Sequence, residues 1–167
     1  FHPSLTPIHQ TCDGRGENLK IRKILLTTDF SDHARQAYGC AADLAKRFDA
    51  RLHLVHFAGA LSTWIPGTNQ DHRIDSLTSA LSDEMNHPGL AGMKVTPNLQ
   101  DHRWTAAHQR TLERELEIDL VVMSPKGKSG LTQMLLGSFA DRVVRHASVP
   151  VLVFRGKDNS ETLEPRM

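Results

Sequence analysis

The chain is short of cysteine, of aromatic residues and of any lopsided charge. It has 2 cysteines in 167 residues, Cys12 and Cys40. They lie far apart and match neither a metal-ligand nor a redox spacing. So sparse a use of thiols fits a reducing, cytoplasmic setting. Cys40 sits among alanines on a helical pattern and is expected to be a buried free thiol. Aromatic residues make up 5% of the chain, and no interleaving of aromatic and basic side chains builds a nucleic-acid platform. The 20 Lys and Arg nearly balance the 19 Asp and Glu, leaving a formal net charge of +1. No broad field of one sign therefore points to nucleic acid or a membrane surface. The longest apolar run is far too short to span a bilayer. The first residue is Phe1 rather than Met, as expected of a trimmed chain or a fragment, and no secretory signal is expected.

What remains suits one domain with a real core. Residues 1–20 are polar and rich in Pro and Gly, with no period, and are read as a flexible arm. Residues 21–155 carry the domain, and 156–167 read as a polar tail. Ile24, Leu25 and Leu26 form a continuous apolar run, as in a strand covered on both faces. Ser31 can cap the helix that follows, whose Ala34, Ala37, Tyr38, Ala41, Leu44, Ala45 and Phe48 recur at three- and four-residue steps. "ARLHLVHF" predicts a second strand. A weaker helical pattern follows through Ile74, Leu77, Leu81 and Met85. "GMKVTPNL" predicts a third strand, and its Pro97 suggests an edge position. A helix through Leu112 and Leu116, the strand "DLVVMS", a helix over about 138–147 and the strand "VPVLVF" complete the order. Strands alternating with helices predict an α/β fold with a parallel sheet and right-handed crossovers.

In such sheets ligands bind beyond the carboxyl ends of the strands, where strand order reverses. Asp29 follows the first strand, and "SPKGKSGLTQMLLGS", 124–138, follows the fourth. With the order 3-2-1-4-5 these two features face each other across one crevice. Gly127 and Gly137 let backbone amides approach an anion, and a helix N-terminus favours negative charge. Lys128 and the Ser138 hydroxyl would add donors. Two plainer readings stand beside this one. Ser138 and Asp141 have capping-box-like spacing, so Ser138 can serve only as a helix cap. Asp29 can serve only to turn the chain. "GKS" at 127–129 is not a Walker A motif, which needs Gly where position 122 is Val.

"LLTTDFSDHARQA", "DLVVMSPKGKSGLTQMLLGSFADRVVRHASVPVLVF" and the element order resemble the universal stress protein family over roughly residues 21–155. The resemblance implies a Rossmann-like, adenine nucleotide alpha hydrolase-like domain. It has five parallel strands in order 3-2-1-4-5, with helices on both faces. It also implies a nucleotide-binding stress-response module holding ATP, AMP or another adenine nucleotide, with or without Mg2+. Nucleotide-binding members carry G-x2-G-x9-G-(S/T) after strand four. On this chain Gly127 matches the second glycine, and Gly137 and Ser138 match the end. The first glycine position is Ser124, followed by Pro125, which lacks an N–H. Asp29 matches the acid near base and ribose. Thr27 and Phe57 match strand-end positions lining the adenine pocket, and Phe139 offers a backbone amide. The alternative is an interaction protein of the same fold whose pocket Ser124 and Pro125 have altered. In the family the last strand, here running from Val149 to Phe154, commonly pairs across a twofold axis, so a homodimer is expected.

Neither a metal site nor an enzyme is expected. His53 and His56 lie three apart on a strand and so point to opposite faces, and His102 and His108 do not share a close helical face. Trp64 and Trp104 are read as packing or partial cover for the crevice. No Ser-His-Asp or Cys-His arrangement is visible.

Overall fold

The computed structural model describes residues 20–59, 70–100, 104–125 and 136–156. Five strands and four helices alternate: β1 (Lys23–Thr27), α1 (Asp32–Phe48), β2 (Arg51–Phe57), α2 (Gln70–Glu84), β3 (Val95–Gln100), α3 (Ala106–Glu115), β4 (Leu120–Met123), α4 (Ser138–His146) and β5 (Val151–Val153). A 3-10 turn, Pro88–Leu90, precedes β3. The strands form one parallel sheet, as the alternation of strands and helices predicts, in the order β3-β2-β1-β4-β5 that the family resemblance implies.

Side-chain alternation along the strands divides the core into two layers. Ile24, Leu26, Leu52, Leu54 and Val122 pack with Ala37, Tyr38, Ala41 and Ala45 of α1 and Leu81 of α2. Leu25, Val55, Val121 and Met123 pack with Leu112 of α3 and Ala140 and Val143 of α4. Helices therefore cover both faces, which is why β1 and β4 read as unbroken apolar runs. Pro97 lies on β3, an edge strand, opposite Leu54, where its missing N–H breaks no internal ladder.

The helix starts follow local chemistry. Ser31 caps α1, its side chain accepting from the Ala34 amide at 3.2 Å. Thr105 caps α3 by accepting from the His108 amide at 3.1 Å. Two expectations need correction. Gly137, not Ser138, occupies the N-cap of α4. The Gly137 amide donates to the Pro125 carbonyl at 2.8 Å, and its carbonyl accepts from Asp141. The helix thus starts one residue earlier than the Ser138–Asp141 spacing suggests. Cys40 is a free thiol but only half-buried, because its neighbours Ala41 and Ala37 take the inward face of α1. Cys12 lies outside the described residues.

His53 and His56 project to opposite faces of β2, and both are buried. His53 Nε2 is enclosed without a hydrogen-bond partner. Burial, then the charges of Lys23 and Arg51, hold this imidazole below its usual range, in the neutral form. Among the described residues no helix is long and apolar enough to cross a membrane.

Candidate functional site

The chain leaves β1 toward α1 on one face of the sheet and leaves the neighbouring β4 toward α4 on the other. Adjacent strands whose connections diverge in this way open a crevice at their carboxyl ends. Its β4 side is fixed by the Gly137–Pro125 hydrogen bond, which brings the start of α4 back to the end of the strand. Gly137 has φ −58° and ψ 153° and contributes no side-chain cap. The first-turn amides of α4, at Ser138 and Phe139, have no helical carbonyl to bond. Ser138 is exposed. A helix start without a side-chain cap, lined by N–H groups and a hydroxyl, is a favourable place for an anion. Gly137's own amide is already committed to Pro125, so the donors shift to Ser138 and Phe139.

The β1 side is a tight turn. Asp29 Oδ1 accepts from the Ser31 amide at 3.0 Å and from the Ser31 hydroxyl at 2.5 Å. The plainer reading of Asp29 as a turn-former is thus satisfied by one carboxylate oxygen. Phe30 adopts φ 64°, a left-handed conformation that costs a non-glycine residue about 1 kcal/mol or more. Its amide donates to Thr28 Oγ1 at 3.1 Å, and its ring lies 4.3 Å from the His56 ring. His56 Nδ1 lies 2.8 Å from the Thr28 carbonyl. A carbonyl only accepts, so Nδ1 carries the proton.

Behind this turn runs a buried polar network that the sequence does not announce. The Tyr38 hydroxyl lies 2.7 Å from Thr28 Oγ1 and 2.6 Å from Glu84 Oε2. Glu84, at the end of α2, is 7% exposed and forks onto the Arg35 guanidinium, which also reaches Asp32. Burial alone would raise the Glu84 pKa, but hydrogen bonds from Arg35 and Tyr38 outweigh it and hold the carboxyl below its usual range. Burial, followed by the Glu84 carboxylate, pushes the Tyr38 phenol well up, so it stays a proton donor. Both residues fall on apolar helical stripes, Tyr38 with Ala34, Ala37 and Ala41, and Glu84 three residues after Leu81. A polar residue on such a stripe is the one available sequence signal.

The depressed Glu84 pKa has a sign that can be measured. Its folded value lies below the unfolded one, so its contribution is fully present above the ordinary carboxylate value and is lost as pH falls from there through the lower folded value. Urea unfolding from pH 7 to pH 3 should show this acid loss. Glu84→Gln should lower stability at pH 7 and flatten the curve below about pH 4.5. An unchanged slope would mean that Glu84 carries none of it.

Aromatic residues close the α3–α4 side. Phe57, ending β2, lies 5.7 Å from Phe139 in the first turn of α4. Phe139 meets Trp104 edge-on at 6.1 Å, and Arg142 Cζ lies 5.2 Å over the Trp104 ring. Two of the sequence-derived positions, Phe57 and Phe139, are therefore in one cluster, with Trp104 packed behind. Thr27 and Ser124 are each 7% exposed and present little side-chain surface. Gly127 and Lys128 lie outside the described residues. Among the described residues no group of three or more His, Cys, Asp or Glu could hold a metal ion.

Comparison with known proteins gives a consistent result. The family model for the universal stress protein family matches residues 20–155. A universal stress protein of Methanocaldococcus jannaschii is 30% identical over 151 residues, covering 84% of this chain and 85% of the relative. Among solved structures, the universal stress protein UspA of Lactobacillus plantarum has a TM-score of 0.68 at 23% identity, covering 83% of this chain and all of that one. A universal stress protein of Archaeoglobus fulgidus, in complex with dAMP, has a TM-score of 0.60 at 18% identity, covering 82% and 99%. A further solved structure, of a universal stress protein in complex with cAMP, has a TM-score of 0.56 at 20% identity, covering 81% of this chain and 98% of that one.

Proposed function

The chain belongs to the universal stress protein family, and from that premise we propose that it is a regulatory stress-response module whose crevice takes an adenine nucleotide. The observation that carries this reading is the start of α4. Gly137, held against Pro125, leaves the amides of Ser138 and Phe139 and the Ser138 hydroxyl beside the end of β4, next to β1, beyond whose end lies Asp29. The donor set fits a phosphate-bearing ligand. Ser138 and Phe139 would hold phosphate, with Gly127 and Lys128 from the same loop. Asp29, Thr27 and Phe57 would meet ribose and base. The dAMP and cAMP held by two relatives of the same fold support an adenine nucleotide. ATP, AMP or a related nucleotide satisfies this chemistry, and Mg2+ would accompany the phosphates of ATP.

The proposed role is binding rather than turnover. Asp29 spends Oδ1 on Ser31, and we assign no side chain to activate a water. A second reading has its own support. Ser124 and Pro125 are both buried at the end of β4, and the Pro125 carbonyl is already bonded to Gly137. On that reading the pocket is altered and the protein works through its surfaces.

One experiment separates the two. Protein purified without added nucleotide is denatured, and the released small molecules are identified by chromatography with mass detection. ATP is then titrated by calorimetry with magnesium. Released adenine nucleotide, or micromolar binding, supports the nucleotide site. No release, with no heat or thermal shift up to millimolar ATP, favours the interaction protein. The same proposal places the protein in the cytoplasm as a homodimer joined along β5. That edge strand exposes Leu152, and a bare apolar edge invites a partner strand. A monomer by light scattering at micromolar concentration would sink the dimer.

A further inference from the structure

The proton order of the buried network can be derived from its chemistry. A carboxylate only accepts, so the Tyr38 hydroxyl must donate to Glu84, which Arg35 and the depressed pKa keep ionised. Tyr38 has one proton. The 2.7 Å contact with Thr28 is therefore made by the Thr28 hydroxyl donating to the Tyr38 oxygen. The Thr28 oxygen is then left as an acceptor, and it takes the Phe30 amide at 3.1 Å. One directed chain runs from Phe30 through Thr28 and Tyr38 to Glu84. Its donor end is the single left-handed residue between β1 and α1, adjacent to Asp29.

The backbone of Thr28 is held without this chain. Its amide donates to the Val55 carbonyl at 2.9 Å, and its carbonyl accepts from His56. Losing the Tyr38 hydroxyl should therefore leave β1 in place and act on the residues after it. Phe30 is the residue that needs help, because its φ of 64° is unfavourable without a fixed acceptor for its amide. Asp29 lies between the clamped residue and the strained one.

We propose that Tyr38, Thr28 and Glu84 are positioning residues for the adenosine end of the ligand: their hydrogen-bond chain fixes the Phe30 turn and, through it, the direction of the Asp29 carboxylate. This rests on the reading of the crevice as a nucleotide site. It predicts a split between the two ends of the ligand, because the phosphate end is organised by α4 on the opposite face of the sheet.

The test uses the full chain and three probes: ATP, adenosine and inorganic tripolyphosphate, each titrated by calorimetry. Tyr38→Phe and Thr28→Val are near-isosteric and remove one hydroxyl each. Both should weaken ATP and adenosine about tenfold, and change tripolyphosphate by less than about twofold. Thr28→Ser, which keeps the hydroxyl, should bind adenosine within about threefold of the parent. Adding Tyr38→Phe to Asp29→Asn should cause no further loss, since the chain would act only through Asp29. Thermal melting checks that each variant is folded, and if Thr28→Val is not, Tyr38→Phe carries the comparison. Parental ATP affinity in both variants overturns the proposal. So does equal weakening of ATP and tripolyphosphate, which would report a general loosening. A parent protein that binds none of the three probes overturns the nucleotide reading and this inference with it, an outcome distinct from a binding parent with indifferent variants.

Discussion

Gly137→Asp should reduce ATP affinity by about a thousandfold while the chain stays folded. The backbone at Gly137, φ −58° and ψ 153°, suits any L residue, so the substitution introduces no backbone strain. Asp is among the preferred N-cap residues and is favoured over Gly by a few tenths of a kcal/mol. Its carboxylate would accept from the amide of Phe139, one of the groups proposed to meet phosphate, or from that of Ala140, and would sit where the phosphate is proposed to bind. Two unit charges about 4 Å apart repel by about 4 kcal/mol at an effective dielectric near 20, which corresponds to about three decades in affinity. Stability should therefore hold or rise slightly while binding is lost. Calorimetry with ATP and a thermal melt on the same preparation read both quantities. Unchanged affinity would remove α4 from the phosphate site.

The second large effect is on stability. Glu113→Ala should lower the free energy of unfolding by about 3 kcal/mol, read as a shift of the urea midpoint. Glu113 is 2% exposed. It accepts from the Ser148 amide at 2.8 Å, the Ser148 hydroxyl at 2.5 Å and Gln109 Nε2 at 2.8 Å. Gln109 in turn accepts from Trp104 Nε1 at 2.8 Å. Truncation leaves the Gln109 amide enclosed and unpaired, which costs more than that bond itself contributes, and it takes the acceptor from both Ser148 donors. Glu113→Gln should be milder, because an amide can still accept on one side. A loss below about 1 kcal/mol would show that water or rearrangement satisfies the donors.

The parts of the fold written in local patterns were legible. Alternating strands and helices predict the parallel sheet, and Pro97 marks an edge strand because a proline ring excludes a central one. Ser31 was identifiable as a cap from the helical pattern that follows it. The start of α4 was not, because the residue that ends up as cap is selected by a bond from Gly137 to Pro125, twelve positions back. A Ser–Asp pair at capping distance carries no trace of that bond. The pairing of Phe57 with Phe139 was reachable only through family resemblance, since their contact depends on the sheet order. Thr28, Tyr38 and Glu84 escaped for a similar reason. They converge from the turn after a strand and from two helices, and periodicity describes one element at a time.

The central position of β1 governs when the site can form. Its partner on one side, β2, follows about thirty residues later, with Ile24 opposite Leu52. Its partner on the other side follows nearly a hundred residues later, with Ile24 opposite Leu120. Asp119 seals that second seam by accepting from the Arg22 and Lys23 amides at 2.7 and 3.0 Å. At about 5–20 residues per second of synthesis, β1 waits roughly 5–20 s with one edge unpaired. Such distant pairing also slows folding in vitro, because the chain must close a long loop before any contact rewards it. The crevice between β1 and β4 thus cannot form until β4 has been made, and throughout that interval the nascent chain carries an open apolar strand edge and no site for a ligand to stabilise.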